Sequence, residues 1–128
     1  MAWKFESGRP IYAQIAEYLT MDILSGVYPP GERLPTVREF ASCAAVNPNT
    51  MQKALLELEH IGLVSTQRST GRFVTTDTDI IRSIAKQKLH ALTEEYLQKL
   101  SILGYSGSDA VTMIQEYKKE VPAGDRTE

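Results

Sequence analysis

Residues 45–62 read AVNPNTMQKALLELEHIG, polar at the start and amphipathic within one helical turn. Asn47 is a favourable N-cap and Pro48 a favourable first helical residue, because the N–H that proline lacks would have had no partner there. Met51, Ala54, Leu55 and Leu58 recur at i, i+3, i+4 and i+7, the spacing of one buried helical face, and Gly62 supplies a stop. Opposite them stand Asn49, Gln52, Lys53, Leu56 and His60. On an isolated helix such a face would merely be solvated, so its neighbours decide its role.

TVREFASCAA, residues 36–45, reads as a short helix upstream. Thr36 and Glu39 have the spacing of a capping box, and Val37, Phe40, Ala41 and Ala44 form its apolar stripe. Two short helices joined by a tight turn make a helix-turn-helix candidate. RPIYAQIAEYLTMDILSG, residues 9–26, gives a first helix with Pro10 at its first position, Ile11, Ile15, Tyr18, Leu19 and Ile23 on one face, and Gly26 as its stop. VYPPGERLP, residues 27–35, is a turn-rich connection, since Pro29, Pro30 and Pro35 exclude helix. After the central stretch, Leu63–Gln67 and Arg72–Thr76 are β-prone runs joined by RSTG, which is hairpin-turn chemistry. The order helix, helix, helix, hairpin makes the hairpin a wing.

The second half reads differently. TTDTD, residues 75–79, is polar and suggests a linker. IIRSIAKQKLHALTEEYLQKLSILG, residues 80–104, reads as a long helix striped by Ile81, Ile84, Ala85, Leu89, Leu92, Tyr96, Leu100 and Leu103. About 24 residues at 1.5 Å each span roughly 36 Å. SGSDAVTMIQEYKKEV, residues 106–121, gives a last helix capped by Ser106 or Ser108, with Val111, Ile114, Tyr117 and Val121 on one side. The fold class expected is mainly α, of the α+β winged-helix kind. Its parts are a winged helix-turn-helix domain over 1–76, a two-helix dimerisation region over 77–122, and a disordered tail over 123–128.

The 128 residues are 42% hydrophobic, enough for a real core, and carry a formal net charge of −2. Residues 1–76 hold seven Lys/Arg against seven Asp/Glu, so any nucleic-acid affinity must come from a local patch. Without a membrane-length apolar run or a signal-peptide pattern, a soluble, unsecreted protein is expected. The single cysteine, Cys43, can form neither an internal disulfide nor a thiolate cluster, which fits a reducing cytoplasm. Placed among alanines, it is expected to be a buried, inert thiol. His60 and His90 are too isolated for a metal site, and no cofactor is expected. The catalytic fingerprints G-x-S-x-G, H-E-x-x-H and the P-loop are missing; GYSGS at 104–108 departs from the first at its last residue, so no enzyme is expected.

Residues 10–74 strongly resemble the DNA-binding domain of GntR-type bacterial transcription regulators, through PIYAQI, ILSG, PPGERLPTVREFA, VNPNTMQKALLELEHIGLV and STGRFV. The short two-helix remainder and the VNPNT helix start are similar to the YtrA-type branch. The resemblance implies a winged helix-turn-helix that binds a pseudo-palindromic operator as a homodimer, more often as a repressor. YtrA-type relatives often control neighbouring transport operons.

Under that reading Asn49, Thr50 and Gln52 face base edges, with Asn and Gln suited to adenine and Thr to the thymine methyl. Pro48 and Gln52 stand where many members of the family carry arginine, so readout should lean towards A·T pairs, Arg38 and groove shape. Arg38 aligns with a base-contacting arginine of the family. Lys53 suits a phosphate. Thr36 and Asn47 cap their helices and can also meet DNA there. Arg68, Ser69, Thr70, Gly71 and Arg72 suit a wing laid on backbone or minor groove. Arg38, Lys53, Arg68 and Arg72 form the expected cationic patch. About six phosphate contacts per dimer would give a log-affinity against log-salt slope of roughly −5. Ile81, Ile84, Leu89, Leu92, Tyr96, Leu100, Leu103, Ile114 and Tyr117 are the expected dimerisation residues, and Tyr96, Tyr105 and Tyr117 either anchor the interface or line a small cavity. A small effector at the dimer interface, acting through the 75–79 linker, would provide the switch. The acidic net charge leaves a second reading open, a winged helix that binds protein and no specific DNA.

Overall fold

The computed structural model describes residues 3–121. The tail at 123–128, expected to be disordered, lies outside them. In order, the elements are α1 (Ile11–Leu24), α2 (Val37–Ala44), α3 (Pro48–His60), β1 (Val64–Gln67), β2 (Gly71–Val74), α4 (Thr78–Ile102) and α5 (Gly107–Glu120). The chain divides into two compact units, Met1–Ala85 and Lys86–Glu128. No described helix is long and apolar enough to cross a membrane.

The first unit is a winged helix. Its core joins Ile15, Leu19 and Ile23 of α1, Phe40 and Ala41 of α2, Met51, Ala54, Leu55 and Leu58 of α3, and Leu34, Leu63, Val64 and Val74. The apolar stripes expected for α2 and α3 face it. Full burial of each large side chain contributes about 1.5–3 kcal/mol. Short-range chemistry sets the helix starts. Thr36 Oγ1 accepts from the Glu39 N–H at 3.1 Å while Glu39 Oε1 accepts from the Thr36 N–H at 2.8 Å, a complete capping box. Asn47 Oδ1 accepts from the Asn49 N–H at 2.7 Å, with Pro48 at the first helical position. Pro10 stands one place earlier than expected, as the N-cap of α1, where its carbonyl receives the Gln14 N–H. Gln14 itself is buried: its side chain accepts from the Glu6 N–H and donates to the carbonyls of Glu6 and Arg9, fastening the N-terminal segment to α1. There Trp3 stacks on Tyr18, ring centroids 5.3 Å apart.

The 27–35 connection is more ordered than its prolines suggest. The Val74 N–H donates to Glu32 O and the Leu34 N–H to Arg72 O, both at 2.9 Å. With the Arg33–Phe73 bridge, these bonds lay the connection along β2 as a third, one-residue strand. Proline excludes helix but leaves extended backbone open, and the free edge of β2 takes it up.

Three expectations need correction. The 75–79 stretch is held to the domain: Thr75 N–H donates to Leu63 O, Thr75 Oγ1 accepts from Asp77 N–H, and Asp77 Oδ1 accepts from Asp79 N–H as α4 begins. Ile80, Ile81 and Ile84 then pack against the winged-helix core, so Ile81 and Ile84 are half-covered within the chain and the first unit runs on to Ala85. Cys43 is exposed, because the buried stripe of α2 passes through Phe40 and Ala41 and turns the thiol outward.

In the second unit, Gly104 (φ 91°) ends the turn after α4, and Ser106 caps α5 in a capping box with Asp109. Leu100 and Ala110 are its buried residues. Leu100, expected on a dimer face, is therefore covered within the chain. Leu89, Leu92, Leu103, Val111, Ile114 and Tyr117 are exposed.

Candidate nucleic-acid interface

The outward side of α3 carries the polar residues singled out in the sequence, with unequal exposure. Asn47, Pro48, Asn49 and Lys53 are exposed, while Thr50 and Gln52 are half-buried beside the core-facing stripe. Asn47 uses its carboxamide oxygen as a cap, which leaves its NH2 group free to donate. The Lys53 ammonium sits 4.1 Å from the centroid of the Tyr12 ring, a cation–π contact that steadies a long side chain at the edge of α3. Arg38 projects from the first turn of α2, exposed and without an ion pair among the described residues. Thr36 and Glu39 are engaged with one another, so a carboxylate already occupies the start of α2.

The wing is an antiparallel pair with Thr66 opposite Arg72 and Gln67 opposite Gly71. Arg68, Ser69 and Thr70 form its exposed tip, where Ser69 takes a left-handed conformation (φ 67°) and the Thr70 N–H closes on Gln67 O at 3.2 Å. Gly71 has φ 115°, a backbone that side chains rarely adopt. A Cβ there would lie 3.1 Å from Arg33 Nε, so the glycine also makes room for a guanidinium.

Arg72 is placed otherwise than expected. Its Nε donates to Glu59 Oε2 at 2.6 Å, and the same oxygen accepts from Thr66 Oγ1 at 2.6 Å. The side chains of Arg72 and Glu59 are 16% and 25% exposed, so the pair is a brace tucked between α3 and both strands. Burial alone would raise the Glu59 carboxyl, but the hydrogen bonds from Thr66 and Arg72 and the guanidinium charge outweigh it and hold the group below its usual 4.5. A depressed carboxylate stabilises the fold above its unfolded value and loses that contribution as pH falls through the folded one. Glu59→Gln should therefore cost about 1–2 kcal/mol at neutral pH, a charged hydrogen-bond value discounted for partial exposure. In denaturant titrations the gap between wild type and variant should close at pH values more acid than 4.5. A gap independent of pH would deny the brace its charge.

Residues 11–74 match the family described as bacterial regulatory proteins, gntR family. The chain belongs to the GntR family. This GntR-family chain is 32% identical over 117 residues to the transcriptional repressor YtrA of Bacillus subtilis, covering 91% of this chain and 88% of YtrA, which places it in the YtrA-type branch. A GntR family transcriptional regulator from Listeria monocytogenes superposes with a TM-score of 0.81 at 34% identity, covering 88% of this chain and 98% of that one. The DNA-binding domain of AraR, solved in complex with operator ORR3, matches 59% of this chain and 90% of its own, with 29% identity and a TM-score of 0.51. The protein is thus a DNA-binding transcriptional regulator of winged helix-turn-helix type.

Proposed function

We propose that this regulator is a repressor that binds a pseudo-palindromic operator as a homodimer, in the cytoplasm, controls a transport operon and responds to a small effector. The observation that carries the operator reading is the polar face of α3, Asn47 to Lys53, capped at its start and flanked by Arg38 and the wing tip Arg68–Thr70. Asn49, Thr50 and Gln52 read base edges, while Lys53 and Arg68 hold phosphates. Repression is supported by the likeness to YtrA. The homodimer is supported by the apolar side chains that α4 and α5 leave uncovered, Leu89 at 63% and Ile114 at 49% exposure among them. A second copy covers such a face by two-fold symmetry, as closed dimers do.

Selection of bound duplexes from random DNA tests the operator and its symmetry together. An inverted repeat is expected, and a single unrepeated site would contradict the dimer. Gln52→Ala should cost about 1–3 kcal/mol on the selected site and relax the preference at one base position per half-site. Uniform weakening at every position would instead make Gln52 a backbone contact. Calorimetry with candidate effectors checks the switch: an effector should shift operator affinity.

A further inference from the structure

The charges of the first unit sort into two sets. Arg9, Arg72 and Arg82 are each paired with a carboxylate. Among the described residues Lys4, Arg33, Arg38, Lys53 and Arg68 form no ion pair. Arg33 was not expected at the interface, since it lies in the turn-rich connection. The structure nevertheless seats it between the start of α2 and the wing. It lines a cleft of about 280 Å³ together with Thr36, Val37, Thr66, Gly71 and Arg72. Its backbone bridges Phe73 of β2, and its guanidinium lies beside Gly71, 3.1 Å at Nε from where a Cβ would stand.

We propose that Arg33 is a DNA-phosphate contact of this regulator and takes the place that sequence reading gave to Arg72. The assignment rests on the DNA-binding reading above. The two arginines are neighbours on the same cleft with opposite fates. Arg72 has turned inward to Glu59 and its charge is spent there. Arg33 is exposed, and none of its five N–H donors meets an acceptor among the described residues. The nearby Glu39 carboxylate is held on the Thr36 N–H, which turns its charge to capping. A guanidinium lying on a fixed backbone is pre-organised for bidentate contact with phosphate oxygens. Its place between α2 and the wing is where a strand running from one to the other would pass. Gly71 serves this arrangement, since a Cβ there would press on the guanidinium at 3.1 Å.

The test compares full-length Arg33→Gln, Arg33→Lys and Arg72→Gln with wild type, titrating the selected duplex and a mixed-sequence duplex over a series of salt concentrations. Arg33→Gln should weaken both duplexes by the same factor and make the log–log salt slope shallower by about 1 per bound chain. Arg33→Lys should keep the slope, and Arg72→Gln should lower thermal stability while leaving the slope in place. Loss of affinity in Arg33→Gln with an unchanged slope overturns the assignment, because a purely structural role would do that. So does a slope lost equally in Arg72→Gln. A wild-type chain that binds neither duplex overturns the DNA reading itself, and this assignment with it.

Discussion

Leu92→Glu combined with Leu103→Glu is expected to yield a folded monomer whose operator affinity is about 10²–10⁴-fold weaker than wild type, the range lost when two linked sites become one. Leu92 and Leu103 are 61% and 71% exposed in the single chain, so glutamate at either costs the isolated fold little. In a dimer that covers them, each carboxylate would leave water without a partner, which association cannot repay. Sedimentation should report the monomer, and the salt slope should fall from roughly −5 to about half that value as half the phosphate contacts disappear. The thermal transition of the winged-helix unit should persist. A variant that still sediments as a dimer, or a wild type that is monomeric, would remove α4 and α5 from the account of assembly.

The second large effect is in the core. Phe40→Ala should destabilise the first unit by about 3–5 kcal/mol, the usual cost of emptying a phenylalanine site. Phe40 is fully buried on α2, and its ring meets Tyr28 edge-on at 6.0 Å. That contact joins α2 to the connection that carries Arg33 along β2. Against a typical domain stability of about 5–15 kcal/mol, the loss should bring unfolding close to physiological temperature. Urea titration measures the size of the effect. DNA binding should weaken well below the melting transition as α2 and the connection loosen. Phe40→Leu should recover most of the stability, and a value under about 1 kcal/mol for Phe40→Ala would mean that the core has closed over the cavity.

What could be read from the chain followed the range of the interaction. Thr36–Glu39, Asn47–Asn49 and Ser106–Asp109 act over two or three residues, so spacing exposed the starts of α2 and α3, while for α5 it left Ser106 and Ser108 both open. The wing turn was legible for the same reason. Contacts between distant segments were not. Arg33 meets Gly71 across the domain, and Glu59 reaches Arg72 thirteen residues away. The expected patch of Arg38, Lys53, Arg68 and Arg72 included one arginine that Glu59 claims, and nothing local told which arginine a carboxylate would take. The TTDTD stretch looked like a linker because its side chains are polar, but Thr75 and Asp77 spend that polarity on neighbouring N–H groups and lead directly into α4. On α4 the same apolar spacing serves a buried position at Leu100 and exposed ones at Leu92 and Leu103, a division that periodicity alone does not make.

A single carboxylate oxygen of Glu59 holds Thr66 of one wing strand and Arg72 of the other. Helix and hairpin therefore share one pivot, and neither can be re-aimed without carrying the other along. A chain that keeps Glu59 would then change its target through the exposed side chains of α3 and the wing tip, with helix and hairpin still fastened to each other.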